Sequence, residues 1–196
     1  MSLLDLLQDQ LSGQQAAQVS QKIGVDQTTG EKAIGAALPA LMAALAGNAR
    51  KREGATKLAE ALERDHDGSI LDNLGGFLGG GDAAPGQAIL GHMLGGRQPV
   101  VEQSLAKSSG LNMGQISQIL AMLAPLVMGM LGKQKRSSGL DIGGLAEMLG
   151  GERRQMEKKE AGLGGLLGSL LDSDGDGSAA DDIAKIGGGL LGKLFK

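Results

Sequence analysis

Two long apolar runs constrain this chain more than anything else in it. Ala33 to Ala46 reads AIGAALPALMAALA, and Leu120 to Gly132 reads LAMLAPLVMGMLG. With an offset of about 86 residues, Pro39 falls on Pro125, Leu41 on Val127, Met42 on Met128 and Leu45 on Leu131. The correspondence continues upstream, where Gly24-Val25 falls on Gly110-Leu111 and Ile34 on Leu120. The pattern predicts an internal duplication in which each copy contributes a turn, a short polar helix start and an apolar helix. Each apolar helix must be covered on all sides, so the two are expected to pack together, kinked or started at their matching prolines.

A membrane span is the competing explanation. The 14-residue run Ala33–Ala46 would reach only about 21 Å as a helix, against a hydrocarbon core of roughly 30 Å. In the second run Gln115, Ser117 and Gln118 crowd one end, and Lys133, Lys135 and Arg136 close the other. Buried helices of a two-lobed all-α protein are the expectation, with membrane insertion disfavoured.

The flanking segments read as further helices. Leu3, Leu4, Leu6, Leu7 and Leu11 form one apolar stripe ending at Ser12-Gly13. Gln14 to Ile23 forms a second helix that Gly24 breaks, after which Asp26 or Thr28 can cap the apolar helix, with Glu31 as the capping-box partner of Thr28. After the cluster Arg50-Lys51-Arg52 a short amphipathic helix carries Leu58 and Leu62. The expected divisions are a first helical repeat over 1–82, a second over 83–136, an insert or linker over 137–162, and an acidic loop with a Leu/Gly-rich tail over 163–196. Within the insert, the mixed-charge run Glu152 to Glu160 reads as a solvated helix or mobile linker. Leucine-glycine patches such as Leu74 to Gly81 are expected to fray.

Composition narrows the chemistry. The 196 residues contain no cysteine, no tryptophan and no tyrosine, so disulfides, thiolate metal sites and a cysteine nucleophile are excluded. Glycine contributes 35 residues, and packing falls to Leu, Ile, Met and Ala. A net charge of −3 offers no bulk attraction to nucleic acid or an anionic bilayer. The absence of cysteine and of a basic, cleavable leader fits a cytoplasmic setting.

Two acidic loops repeat with a different offset. Asp65-His66-Asp67-Gly68-Ser69 has a counterpart in Asp174-Gly175-Asp176-Gly177-Ser178, preceded by Asp172. Alternating carboxylates with a glycine at the sixth position open a calcium loop, because a hard cation takes several oxygens and the chain must turn sharply around it. Candidate ligands are Asp172, Asp174, Asp176 and Ser178, with Asp181 and Asp182 closing the shell; the twelfth position, where a bidentate Glu is usual, is Ile183. Calcium is the one cofactor expected. Both loops also fit a helix cap, through Ser69-x-x-Asp72 and Ser178-x-x-Asp181.

The stretches ALPALMAALAGNA, Ala37 to Ala49, and DHDGSILDNLGGFL, Asp65 to Leu78, carry a family resemblance. Together they resemble the bacterial domain-of-unknown-function family numbered 937, to which YidB-like proteins are similar. Two tandem copies would account for most of the chain. The resemblance implies an all-α, homeodomain-like arrangement of the apolar helices and supplies no substrate or catalytic residue.

No catalytic constellation is legible. His66 and His92 have no partner at triad or metal-ligand spacing, and no phosphate-binding glycine loop follows a strand. The chain therefore reads as a non-enzymatic cytoplasmic binding or scaffold protein, with a protein partner or a second copy meeting its Leu/Gly-rich helices. The alternative is a helix-turn-helix DNA-binding protein. Against it, the second helices offer Gln27, Glu31 and Lys32 in one copy and Asn112, Gln115 and Gln118 in the other, with no arginine for base edges.

Overall fold

A computed structural model describes residues 2–80 and 84–159. Every regular element among them is helical: α1 (Leu3–Gln10), α2 (Gln14–Ile23), α3 (Gln27–Ala49), α4 (Arg52–Arg64), α5 (Leu74–Gly80), α6 (Ala84–Leu94), α7 (Gln98–Ser109), α8 (Met113–Ser137) and α9 (Ile142–Lys159). Short 3-10 turns over Ser69–Asn73 and Gly95–Arg97 join α4 to α5 and α6 to α7.

The two apolar runs lie inside α3 and α8, which pack against each other at the centre. Both helices are longer than the runs, and both pass through their prolines, which sit well inside and buried. The expectation that a helix starts at proline is therefore corrected. Burial is nearly unbroken from Ala37 to Gly47 and from Ile119 to Gly132, so both helices are covered on every side along these stretches. At 23 and 25 residues, α3 and α8 are also long and apolar enough to cross a membrane by length and composition, and 78% of the apolar window of each is buried inside the fold. The shortness of the sequence run thus understated the helices, and burial carries the packing argument instead.

The entries to the two central helices share one geometry. Gly24 ends α2 at φ 73° and Gly110 ends α7 at φ 75°, a left-handed conformation that glycine adopts without a Cβ penalty. Two residues on, an Asx side chain caps the long helix. Asp26 accepts from the Thr29 amide at 3.0 Å, and Asn112 accepts from the Gln115 amide at 2.9 Å in a reciprocal capping box. The N-cap of α3 is therefore Asp26, not Thr28, and Glu31 instead accepts from the side chain of Gln27. Gln115 also donates to the last carbonyl of α2, at Ile23, which ties one entry to the other.

Residues 142–159, within the stretch read as insert or linker, form a packed helix. Leu145, Leu149 and Met156 are buried in the common core, and α9 lies against α3 and α4. Glu152, from the mixed-charge run, presents its carboxylate to the amides of Leu3 and Leu4 at 2.9 and 3.4 Å. A carboxylate at a helix N-terminus satisfies orphan amides and meets the positive end of the dipole. The Leu74–Gly80 patch is likewise helical, with Leu78 fully buried.

Close crossings in this fold need glycine. Helix α6 makes the most extensive interhelical contact in the fold, against α8, and a Cβ at Gly86 would stand 1.9 Å from the carbonyl oxygen of Ala121. Five positions along the same helix, a Cβ at Gly91 would meet nothing within 4 Å. Gly86→Ala is expected to destabilise the protein by about 1–3 kcal/mol, because backbone must be pushed aside. Gly91→Ala is expected to stabilise it by about 0.5–1 kcal/mol through helix propensity. Urea denaturation of both variants checks the pair; equal effects would refute the close-packing account of α6.

Candidate functional site

The acidic signature Asp65–Ser69 forms a corner between α4 and the 3-10 turn, and it is seated on the last turns of α8. A Cβ at Gly132 would lie 1.8 Å from the His66 carbonyl oxygen, and one at Gly129 would lie 2.5 Å from a methyl of Ile70. Small residues on α8 thus let the corner backbone approach directly. Gly68, at φ 95°, supplies the turn.

Each carboxylate in the corner has a nearby cation. Lys135, buried on α8, donates its Nζ to Glu63 at 2.5 Å, which holds the Glu63 carboxyl below its usual range. The Arg64 guanidinium pairs with Asp65 at 2.7 Å. Arg136 donates to the backbone carbonyls of Glu63 and Asp67, and its guanidinium lies 3.9 Å from the Asp67 carboxylate. The Asp67 carboxylate accepts from both the hydroxyl and the amide of Ser69, and these bonds, the hydroxyl first, lower its pKa. The cap expected of Ser69 with Asp72 is not formed: Gly68 is the N-cap of the 3-10 turn, without a side-chain cap, and Ser69 instead donates both its amide and its hydroxyl to Asp67. Among the described residues no three His, Asp or Glu side chains converge as a metal site.

Beside the corner lies an open cleft of about 750 Å³ between α4 and α6. Its floor comes from all four helices around it: Leu45 of α3, Leu58 and Ala61 of α4, Ile89 and Met93 of α6, and Met128 of α8. One end carries Asn48, Lys51 and Arg97; the other carries Arg64, Asp65 and His66. Arg97 donates to the Asn48 Oδ1 at 3.4 Å, while the Asn48 amide donates to the Met93 carbonyl at 2.9 Å. A smaller cavity of about 210 Å³, lined by Phe77, Pro85 and Pro125 among others, shares His66, Asp65 and Ile89 with the cleft.

The cleft unites residues that the sequence kept apart. His66 and His92, the only histidines in the chain, both line it. Sequence spacing gave no sign of this, because α5, α6 and a turn separate them and only α6 packing on α8 returns the chain to α4. The apolar stripe of α6 is the one signal that could have placed it.

The candidate calcium ligands Asp172, Asp174, Asp176, Ser178, Asp181 and Asp182 lie outside the described residues, as does the Leu/Gly-rich tail from Leu163 onward.

With this geometry in place the comparisons with known proteins are informative. The chain matches a family described as bacterial protein of unknown function (DUF937) over residues 5–134. The chain belongs to the DUF937 family. The matched region runs from α1 nearly to the end of α8, and so contains the central helix pair, the acidic corner and every residue lining the cleft. Helix α9 lies beyond it yet completes the same core. No curated protein and no solved structure matches the chain.

His66 gives the corner a dependence on pH. Half-burial pushes its pKa below the ordinary 6.5, with the Asp65 carboxylate opposing more weakly. The folded state therefore holds fewer protons at this group than the unfolded chain does. The associated stability is fully present above pH 6.5 and is lost as pH falls through the lower folded value. His66→Gln is expected to flatten the fall in thermal stability between about pH 7 and pH 5. Melting curves of parent and variant across that range check this, and an unchanged slope would rule out His66 as its source.

Proposed function

We propose that this DUF937 protein acts in the cytoplasm as a non-enzymatic binding or scaffold protein, and that the α4–α6 cleft is its binding surface. The observation that carries this reading is the cleft itself. It is of ligand size, apolar at its floor and polar at both ends, and it is walled by rigid helices. Neither histidine on it has a hydroxyl nucleophile beside it in the lining, and the corner carboxylates are committed to cations or to Ser69. A cytoplasmic setting is consistent with a chain free of cysteine.

On this reading the shared entries of α3 and α8 reflect two tandem homeodomain-like copies that supply a scaffold, with the cleft formed where the second copy folds back on the first. The same geometry gives the DNA-binding alternative its one support, a helix–glycine–capped-helix unit at each entry. Its weakness is that the face of α8 carrying Ile116, Ile119 and Leu120 is fully buried, and the exposed first turns hold no arginine. Calcium at Asp172, Asp174, Asp176, Ser178, Asp181 and Asp182 is a further part of the proposal, supported by the alternation of hard oxygen donors.

A photocrosslinker placed at Ala88, which is exposed on the cleft, is expected to trap a discrete protein partner or a second copy in bacterial cells. The same probe at Gln10, exposed and outside the cleft lining, is expected to trap neither. Indistinguishable products from the two positions would overturn the assignment of the cleft. For calcium, calorimetric titration should give saturable heat that Asp174→Ala with Asp176→Ala abolishes; two flat, identical titrations would remove calcium from the reading.

A further inference from the structure

We propose that the α4–α6 cleft is covered by this chain's own segment Leu163 to Asp182, its leucines on the apolar floor and its aspartates on the basic turn between α3 and α4. The inference rests on the cleft being a binding surface, and it names an occupant in cis that any partner must displace. The floor offers aliphatic and thioether surface from Leu45, Leu58, Ile89, Met93 and Met128, and methionine adapts its shape to an irregular apolar guest. The segment supplies such a guest in Leu163, Leu166, Leu167, Leu170 and Leu171. Directly after them come Asp172, Asp174, Asp176, Asp181 and Asp182, with no lysine or arginine among them.

Charge fixes the direction in which the segment lies. Arg50, Lys51 and Arg52 follow one another at the turn, all three exposed, and Lys51 lines one end of the cleft. Elsewhere along the rim Glu53 is bonded to Lys57 and Asp65 to Arg64, so those pairs cancel locally. Lys51 is also the N-cap of α4 and gives it no side-chain cap, so the first amides of that helix add a preference for a carboxylate. Leucines followed by aspartates therefore match an apolar floor that ends beside a basic turn. Chain length permits the contact. Helix α9 lies against α4, one wall of the cleft, and ends at Lys159. Asp172 follows 13 residues later, a span of up to about 43 Å, against a radius of gyration of about 15 Å for a compact fold of this size. A segment of the same chain meets the cleft at an effective concentration on the order of millimolar, so contacts of modest affinity suffice.

The test places a photocrosslinker at Ala88, exposed on the cleft, in the purified full chain at high dilution in EDTA, and maps the products by mass spectrometry. Crosslinks within one chain from position 88 to residues 163–182 are expected, and none to them from the same probe at Gln10. Arg50→Glu with Lys51→Glu and Arg52→Glu is expected to lower their yield about tenfold, by opposing the aspartates. Leu166→Asp with Leu167→Asp, a change in the segment itself, is expected to lower it similarly. Parental helicity by circular dichroism establishes that both variants fold. Absence of these crosslinks in the parent, crosslinks that join two copies only, or parental yield in either folded variant overturns the proposal. A partner trapped at Ala88 in cells without the intrachain crosslink would overturn self-docking and leave the cleft as a binding surface. The intrachain crosslink without any cellular partner would sustain self-docking and remove the partner reading instead.

Discussion

The structure depends on one constraint: two helices that are apolar around their whole circumference must be hidden from water. An amphipathic helix needs one covered face, whereas α3 and α8 need a complete sheath over much of their length. Each covers part of the other, and α1, α2, α4, α6, α7 and α9 supply the rest. With about 0.8 kcal/mol gained per buried methylene, this burial outweighs any single polar contact in the fold. It also explains why α9, outside the family match, is no appendage. Without Leu145, Leu149 and Met156, part of α3 would face solvent.

A sheath of helices around a core lacking aromatics has to come close. Leu, Ala and Met fill less space per residue than Phe or Trp, so the backbones approach at Gly86 over Ala121 and at Gly132 under His66. These crossings set the positions of α6 and of the acidic corner. The cleft lies between the elements so positioned, where α4 and α6 part above Leu45 and Met128. Its shape is therefore a consequence of glycine placement on α6 and α8.

What was legible in the sequence follows from this. Helical class, the central pair and the turns at Gly24 and Gly110 were readable, because apolar periodicity and glycine punctuation are local signals. The start of α3 was also readable, in Asp26 as a candidate cap, but that of α8 was not, since Asn112 starts this helix well before its apolar run begins. Mixed charge hid α9, whose buried positions are spaced among exposed Arg154 and Gln155 and the capping Glu152. The cleft was illegible for a different reason. Asn48, His66 and Arg97 meet only through tertiary packing, and spacing along the chain carries no trace of it.

The acidic corner also sharpens how its sequence counterpart should be weighed. At Asp65–Ser69 three nearby cations, Arg64, Lys135 and Arg136, face the carboxylates, and a serine hydroxyl completes Asp67. Charge there is balanced by side chains. Between Ala161 and Ala184 the sequence has five aspartates and no lysine or arginine. The same Asp-Gly-Ser framework without adjacent cations leaves mutual repulsion that must be met by distant side chains, by solvent, or by a bound cation. The two loops share a sequence pattern, but the first is explained by its neighbours and the second has none of those neighbours in sequence. The proposal of calcium at Asp172, Asp174 and Asp176 therefore draws on the absence of lysine and arginine from this stretch of sequence, more than on its likeness to the first loop.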